Sequence, residues 1–320
     1  MKGLIHRASL AVAALLVAGA ASADYPDRTI QVIVPFPPGG SVDPIARAIQ
    51  AGMRETLGAN VVVENHPGAG GTLGTGKVAR AEPDGYTLAI TAVGPLTTQP
   101  HLKNLPYDVD RFEYVCRTHV TPQVFAVGEH SRFKTLAQFV DYARQNKGKA
   151  TLSSTGVGSL PQLATVAFAQ VAGFEWVHVP TKGDAEAAQL AIGGEIDGWV
   201  AGVQTLVRLS PKLRALGILE ERRNPALPDI PTFKELGLPV VSAGWGGLVA
   251  PKGTPPAIVA KLSDACAHAV ETPEFGKILQ SLKVPPGYLP AGEFAAFVRS
   301  EYERHGKLIR DIGADKAKGN

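Results

Sequence analysis

The chain has 320 residues, 32 basic and 29 acidic side chains, and only two cysteines, Cys116 and Cys266. So even a charge balance provides no basic face and argues against nucleic acid as a partner, and two cysteines alone make neither a zinc site nor an iron–sulfur cluster. With 45% hydrophobic residues, a chain this long buries a sizeable core and ordinarily splits into two domains.

The first 23 residues read as a Sec-type signal peptide. Lys2 and Arg7 give a positive start, an apolar run covers Ala8–Ala21, and Ala21-Ser22-Ala23 offers small residues for cleavage after Ala23. A membrane anchor would need a longer run, of about 20 apolar residues. Without Lys2 and Arg7 the mature chain holds 30 basic against 29 acidic residues. In an exported chain Cys116 and Cys266 can pair; the alternative is two buried free thiols.

Along the mature chain, "TIQVIVPF" (Thr29–Phe36) alternates and then turns fully apolar, as a buried strand does. After the loop "PPGGSVDP", Ile45, Ile49, Met53 and Leu57 recur every four residues, one face of a helix that ends at Gly58. "NVVVEN" is the next strand, so the first unit is β-loop-α-β, for which parallel pairing is expected. Strands follow at Tyr86–Thr91, Phe112–Thr118 and Val124–Val127. Thr135 with Gln138 forms a capping box on a helix that Gly148 stops.

The stretch from Ala150 repeats the opening pattern: a strand to Ser153, a Ser/Thr/Gly loop, and a helix capped by Ser159 with Gln162. "EWVHVPTKG", a helix near Ala185–Gly193, "EIDGWVAG" and "KLRALGIL" continue the alternation. Helices at Ala257–Val270 and Phe294–Ile309 close it. Alternation throughout means an α/β fold with mainly parallel sheets.

Two motifs invite enzymatic readings. "GTLGTGKV" (Gly71–Val78) matches the start of a P-loop, but Val78 stands where Ser or Thr should hold magnesium. There is no G-x-S-x-G elbow and no H-E-x-x-H. His66 and His101 fall in loops; His178 falls in a strand and reads as a structural, hydrogen-bonded histidine.

The two glycine-rich helix starts remain. At the first, Pro35, Pro37 and Pro38 stiffen the approach, and Gly39 and Gly40 let backbone come close to a ligand. Asp43-Pro44 suits N-cap and N1, with Ser41 the other candidate cap. At the second, Ser153, Ser154, Thr155, Gly156, Gly158 and Ser159 offer hydroxyls and free amides. Two helix N-termini facing one cleft would hold an anion without Arg or Lys.

Several segments together resemble the Bug family, the periplasmic substrate-binding proteins of the tripartite tricarboxylate transporters. They are "YPDRTIQVIVPFPPGGSVDPIARAI", "VVVENHPGAGGTLGTGKVARAEPDGYTL", "LPYD", "VHVPTKG", "LPDIPTFKELGL" and "GLVAPKGTPPAIVAKL", and the resemblance covers Tyr25 to about Ile309. It implies a two-lobed, Venus-flytrap fold of the type II-like periplasmic binding proteins, with a small carboxylate held between the lobes. It also implies a periplasmic location, no cofactor, no metal and no catalytic residues. The partners implied are the membrane permease components of a transporter, or alternatively a sensor kinase, with the receptor working as a monomer. A secreted α/β enzyme acting on a small carboxylate is the competing reading.

By the resemblance, the ligand loops are Phe36 to Asp43 (with Pro38, Gly39, Gly40 and Ser41) and Ser154 to Ser159, with Thr91 to Gly94 at the pocket edge. Thr181 stands where the family often has Tyr, and Ala201 where an acidic or amide residue is common, so the wall is expected to be smaller and less polar there. That leans the expected ligand toward a carboxylate without an amino group, since an ammonium would need a buried carboxylate partner. Chain order places 24–122 plus 243–320 in lobe 1 and 123–242 in lobe 2, joined by crossing strands. Cys116 and Cys266 are expected to be bonded within one lobe.

Overall fold

A computed structural model describes residues 25–39, 42–181, 183–225 and 227–315; the leader expected over residues 1–23 lies outside them, as do Gly40 and Ser41. Ile30, Val32 and Val34 of β1 (Ile30–Val34) are buried, as the alternating pattern requires. Strand β1 pairs in parallel with β2 (Val61–Asn65) and β3 (Thr87–Ala92). Between them run helix α1 (Val42–Leu57), whose buried stripe is Ile45, Ile49, Met53 and Leu57, and helix α2 (Thr72–Ala79).

Strand β4 (Phe112–Gly128) joins the two halves of the molecule. The two short strands expected there are one 17-residue strand. From Phe112 to Pro122 it runs antiparallel to β9 (Ala243–Pro251). From Gln123 onward it pairs instead with β7 (Gly198–Gly202) and β8 (Leu213–Ile218). Pro122, which lacks an N–H, stands at this change of partner, where a ladder donor is dispensable. The second sheet is completed by β5 (Ala150–Ser154), parallel to both β6 (Trp176–Pro180) and β7. The sheets are therefore mixed: each has a parallel core, and antiparallel strands make the junction.

Each sheet is covered on both faces. Around the first, α1 and α8 (Pro256–Glu271) pack on one side, and α10 (Ala291–Asp311) on the other. Helices α1 and α8 cross so closely that a Cβ on Gly52 would lie 2.5 Å from Ala269 Cα. Cys116 of β4 and Cys266 of α8 form a disulfide with Cα atoms 6.6 Å apart, fastening α8 to the sheet. Around the second sheet, α4 (Leu136–Gln145) and α5 (Leu160–Ala172) cover one face. Helices α6 (Asp184–Gly193) and α7 (Val203–Leu209) cover the other. Leu163 and Val166 of α5 pack on Leu308 and Ile309 of α10, a contact between the two halves.

The sequence reading missed α7, α9 (Pro273–Leu282) and β10 (Pro286–Pro290), which pairs with β4. A start signal for α9 was present: Thr272 Oγ1 accepts from Phe275 N at 3.3 Å, with Pro273 at N1.

Candidate functional site

Parallel strands end on one edge of each sheet, and ligands of α/β folds bind outside the carboxyl ends of such strands. In the first half that edge carries the loop after β1. Asp43 is not the N-cap, because α1 already begins at Val42 and Asp43 lies inside its first turn. Its carboxylate instead braces the loop. Gly39 N donates to Oδ2 at 3.2 Å, Arg47 donates to both oxygens, and Asn65 Nδ2 donates to Oδ1 at 3.0 Å. Asn65 Nδ2 also reaches Phe36 O at 3.1 Å, tying the loop to the end of β2. Burial alone would raise the Asp43 pKa, but the hydrogen bonds from Asn65, Arg47 and Gly39, with the Arg47 charge, hold it below the usual carboxylate value. Pro38 and Gly39 are exposed, and Phe36 is half-buried.

Thr91 is fully buried, and its hydroxyl meets Thr75 Oγ1 of α2 at 2.9 Å, turned into the helix–sheet interface. Gly94 opens a helical turn (Gly94–Thr98), and a Cβ there would meet nothing within 4 Å.

The second loop, after β5, is a closed hydrogen-bond circuit. Ser154 Oγ lies 2.7 Å from His178 Nε2, donates to Gly156 O at 3.1 Å, and accepts from Gly156 N at 3.3 Å. His178 Nδ1 faces Gln162 Nε2 at 3.1 Å, while Gln162 Oε1 accepts from Gly158 N at 2.6 Å. The Gly158 amide can only donate, so it fixes which end of the Gln162 amide faces the histidine. Nδ1 must then accept, which places the ring proton on Nε2, donated to Ser154. Burial holds His178 below the ordinary imidazole range, in keeping with a neutral ring.

Ser159 Oγ caps α5 by accepting from Gln162 N at 3.4 Å. The reciprocal capping-box bond goes one residue further back, to Gly158, just as Gln138 Oε1 accepts from Lys134 N rather than from Thr135. Thr155 is half-buried, and Gly156 has open space where a side chain would stand. Gly158 has φ +71°, and a Cβ there would lie 2.3 Å from Leu102 Cδ1, at the end of α3 (Gln99–Leu102) in the first half. This loop thus abuts the opposite half.

Thr181 is buried and donates its N–H to Ser154 O at 2.9 Å, with its hydroxyl directed to Ser154 O and Gly183 O. Ala201 is fully buried, packed with Val124, Ala188 and Val203 between the sheet and helices α6 and α7. Asp184, at the start of α6, accepts from Thr205 Oγ1 at 3.2 Å through Oδ2. Burial pushes its carboxyl pKa up, opposed by the Thr205 bond and the Arg208 charge. Among the described residues there is no group of three or more His, Cys, Asp or Glu that could hold a metal ion, and no helix long and apolar enough to cross a membrane.

Residues 45–314 match the sequence family described as TctC, the tripartite tricarboxylate transporter family receptor. The chain belongs to this family of solute receptors. The receptor is 37% identical over 290 residues to the UPF0065 protein of the tcbD-tcbE intergenic region in Pseudomonas sp. strain P51, covering 89% of this chain and 86% of that one. Its fold is similar to a TctC solute-binding protein from Polaromonas, with TM-score 0.81 and 29% identity over 90% and 99% of the two chains. It is also similar to MatC from Rhodopseudomonas palustris, solved with bound malate, with TM-score 0.71 and 31% identity over 89% and 100%. The two-lobed binding-protein architecture expected from the sequence is therefore the fold of this receptor.

His178 and Gln162 were seen in the sequence only as a structural histidine and a capping residue. No sequence signal joined them to Ser154, because β6 and α5 meet only in the fold.

Proposed function

We propose that the receptor binds a small carboxylate between its lobes in the periplasm and delivers it to the membrane permease of a tripartite transporter, without acting on it chemically. The observation that carries this reading is the pair of loops at the carboxyl ends of β1 and β5, the second abutting Leu102 of the opposite half. The malate bound to MatC, at 31% identity, supports a carboxylate as the ligand class. The family match, to a transporter receptor, supports a permease as partner and offers nothing for a sensor kinase. We assign lobe 1 to 24–122 plus 243–320 and lobe 2 to 123–242; the switch of β4 from β9 to β7 and β8 after Pro122 supports that division. A leader ending at Ala23 would account for export.

The competing enzymatic reading would rest on Ser154 and His178, whose 2.7 Å contact has the length of a nucleophile–base pair. A base must accept the serine proton. Here the histidine donates instead, and Ser154 spends its own proton on Gly156 O. A thermal-shift screen against mono- and dicarboxylates tests the proposal, because a ligand that binds only the native state raises the melting point. The receptor should be stabilised by at least one small carboxylate and should not be labelled by a serine-directed fluorophosphonate. Covalent labelling of Ser154 would favour the enzyme.

A further inference from the structure

The face of the lobe 2 sheet covered by α6 and α7 holds a set of unpartnered polar atoms. Asp184 Oδ1, Gln204 Nε2, Ser153 Oγ and Trp199 Nε1 are all buried and make no hydrogen bond. Ser153 and Trp199 are register partners on β5 and β7, so their side chains leave the sheet on one face. Trp199 packs there with Ala187 and Ala188 of α6. Asp184 lies just past the carboxyl end of β6 and Gln204 just past that of β7. Thr205, the residue after Gln204, donates its hydroxyl to Asp184 Oδ2. The amide of Gln204 folds back toward Gly202: a Cβ there would lie 3.0 Å from its Oε1.

Buried polar groups in folded proteins nearly always find partners, and one left without a partner calls for an explanation, an ordered water, an ion or a ligand among them. Asp184 leaves an acceptor unused and Gln204 leaves a donor unused, and the Thr205–Asp184 bond ties the two helix starts together. Asp43, the other acidic side chain at the candidate loops, is not free in this way. It already accepts from Gly39, Arg47 and Asn65.

We infer that Asp184 and Gln204 form a specificity subsite for a ligand carrying a hydroxyl or ammonium donor next to a carboxylate. Asp184 Oδ1 takes the donor, and Gln204 Nε2 donates to the adjoining carboxylate oxygen. The inference rests on the receptor reading above and reverses the sequence-based expectation of a ligand without an amino group. It makes Asp184 the residue that tells a substituted dicarboxylate from its plain parent. A hydroxyl satisfies the free oxygen by hydrogen bonding alone, whereas an ammonium adds charge pairing.

The test is calorimetry with matched sets: succinate, malate and aspartate, then adipate, 2-hydroxyadipate and 2-aminoadipate. In the wild type the donor-bearing members of at least one set should bind about tenfold or more tighter than the plain diacid. In Asp184→Ala that preference should shrink to about threefold or less, while the plain diacid still binds and so reports an intact site. Asp184→Asn separates the two donors: a hydroxyl preference survives there, and an ammonium preference does not. Equal binding of plain and substituted diacids by the wild type overturns the inference. So does a preference that persists in Asp184→Ala, or loss of the plain diacid in that variant, which would make Asp184 structural. A wild type that binds no member of either set instead overturns the receptor reading for such ligands, and the inference with it.

Discussion

Ser154 Oγ and His178 Nε2 are 2.7 Å apart, and the proton between them belongs to the histidine. Gln162 sets that polarity from the far side of the ring, held in register by the Gly158 amide. The same contact with the proton on the serine would be the start of a hydrolase.

Gln162→Glu should invert the arrangement. A carboxylate accepts from both Gly158 N–H and His178 Nδ1–H, so the imidazole gains a stabilising negative neighbour and its pKa rises. In the wild type, burial lowers the folded-state pKa of His178. The unfolded chain therefore takes up this proton first as pH falls, and the stability tied to the neutral ring is lost below the unfolded value of about 6.5. A ring-proton NMR titration should give a midpoint below about 6.5 in the wild type and above it in Gln162→Glu. A wild-type midpoint above that value would contradict a buried ring held neutral by its surroundings.

Asp43 should matter as a brace. Asp43→Ala leaves Gly39 N–H and Asn65 without their acceptor and should cost about 1–3 kcal/mol of stability. Its hydrogen bonds and Arg47 hold the folded pKa below the unfolded one. The contribution is thus present above the unfolded value of about 3.9 and fades as pH drops through the folded value. Urea melts of wild type and Asp43→Asn should be well separated above about pH 5 and draw together as the pH falls below the unfolded value of about 3.9. A gap that stays constant across that range would remove the ionised carboxylate from the account.

How much of this was legible in the sequence depends on whether the determinant was local. The stripe Ile45, Ile49, Met53 and Leu57 fixes α1 by spacing alone, and Thr135 and Ser159 mark their helix starts by local bonding. Chain order puts a lobe boundary at 122, but that a single strand runs through it was not readable, because "RTHVTPQV" looks like a break when only two sheets competing for one strand make it continuous. The loops of the candidate site were visible as glycine and hydroxyl composition. Where each hydroxyl points was not: Thr91 turns to Thr75, and Asp43 serves a loop and Arg47 rather than a helix cap. Those choices depend on neighbours brought in by other strands.

The Cys116–Cys266 bond closes a loop of 150 residues. In the chain-entropy description a closure this long contributes on the order of 4–5 kcal/mol. The Cys116→Ala/Cys266→Ala double variant should unfold at a clearly lower urea concentration, and reduction should not change its midpoint further. Thiol titration of the denatured, unreduced wild type should find no free thiol; finding two would reject the bond.

Gly158→Ala should be disfavoured twice, by a left-handed backbone and by the approach of Leu102. The expected cost is about 1–3 kcal/mol, with weaker carboxylate binding as the loop moves. Adding Leu102→Ala removes the steric part and leaves the backbone part, so the double variant should recover some of the loss. Strictly additive losses would mean that the loop and α3 do not press on one another.

The central claim is that one small carboxylate is held between two lobes. Isothermal titration of the purified receptor with the carboxylate that gives the largest thermal shift tests it directly. The account predicts saturable binding of about one ligand per chain, weakened in Gly158→Ala, with the released carboxylate chemically unchanged. A carboxylate consumed during the titration, or affinity untouched by Gly158→Ala when that variant is folded, would contradict it.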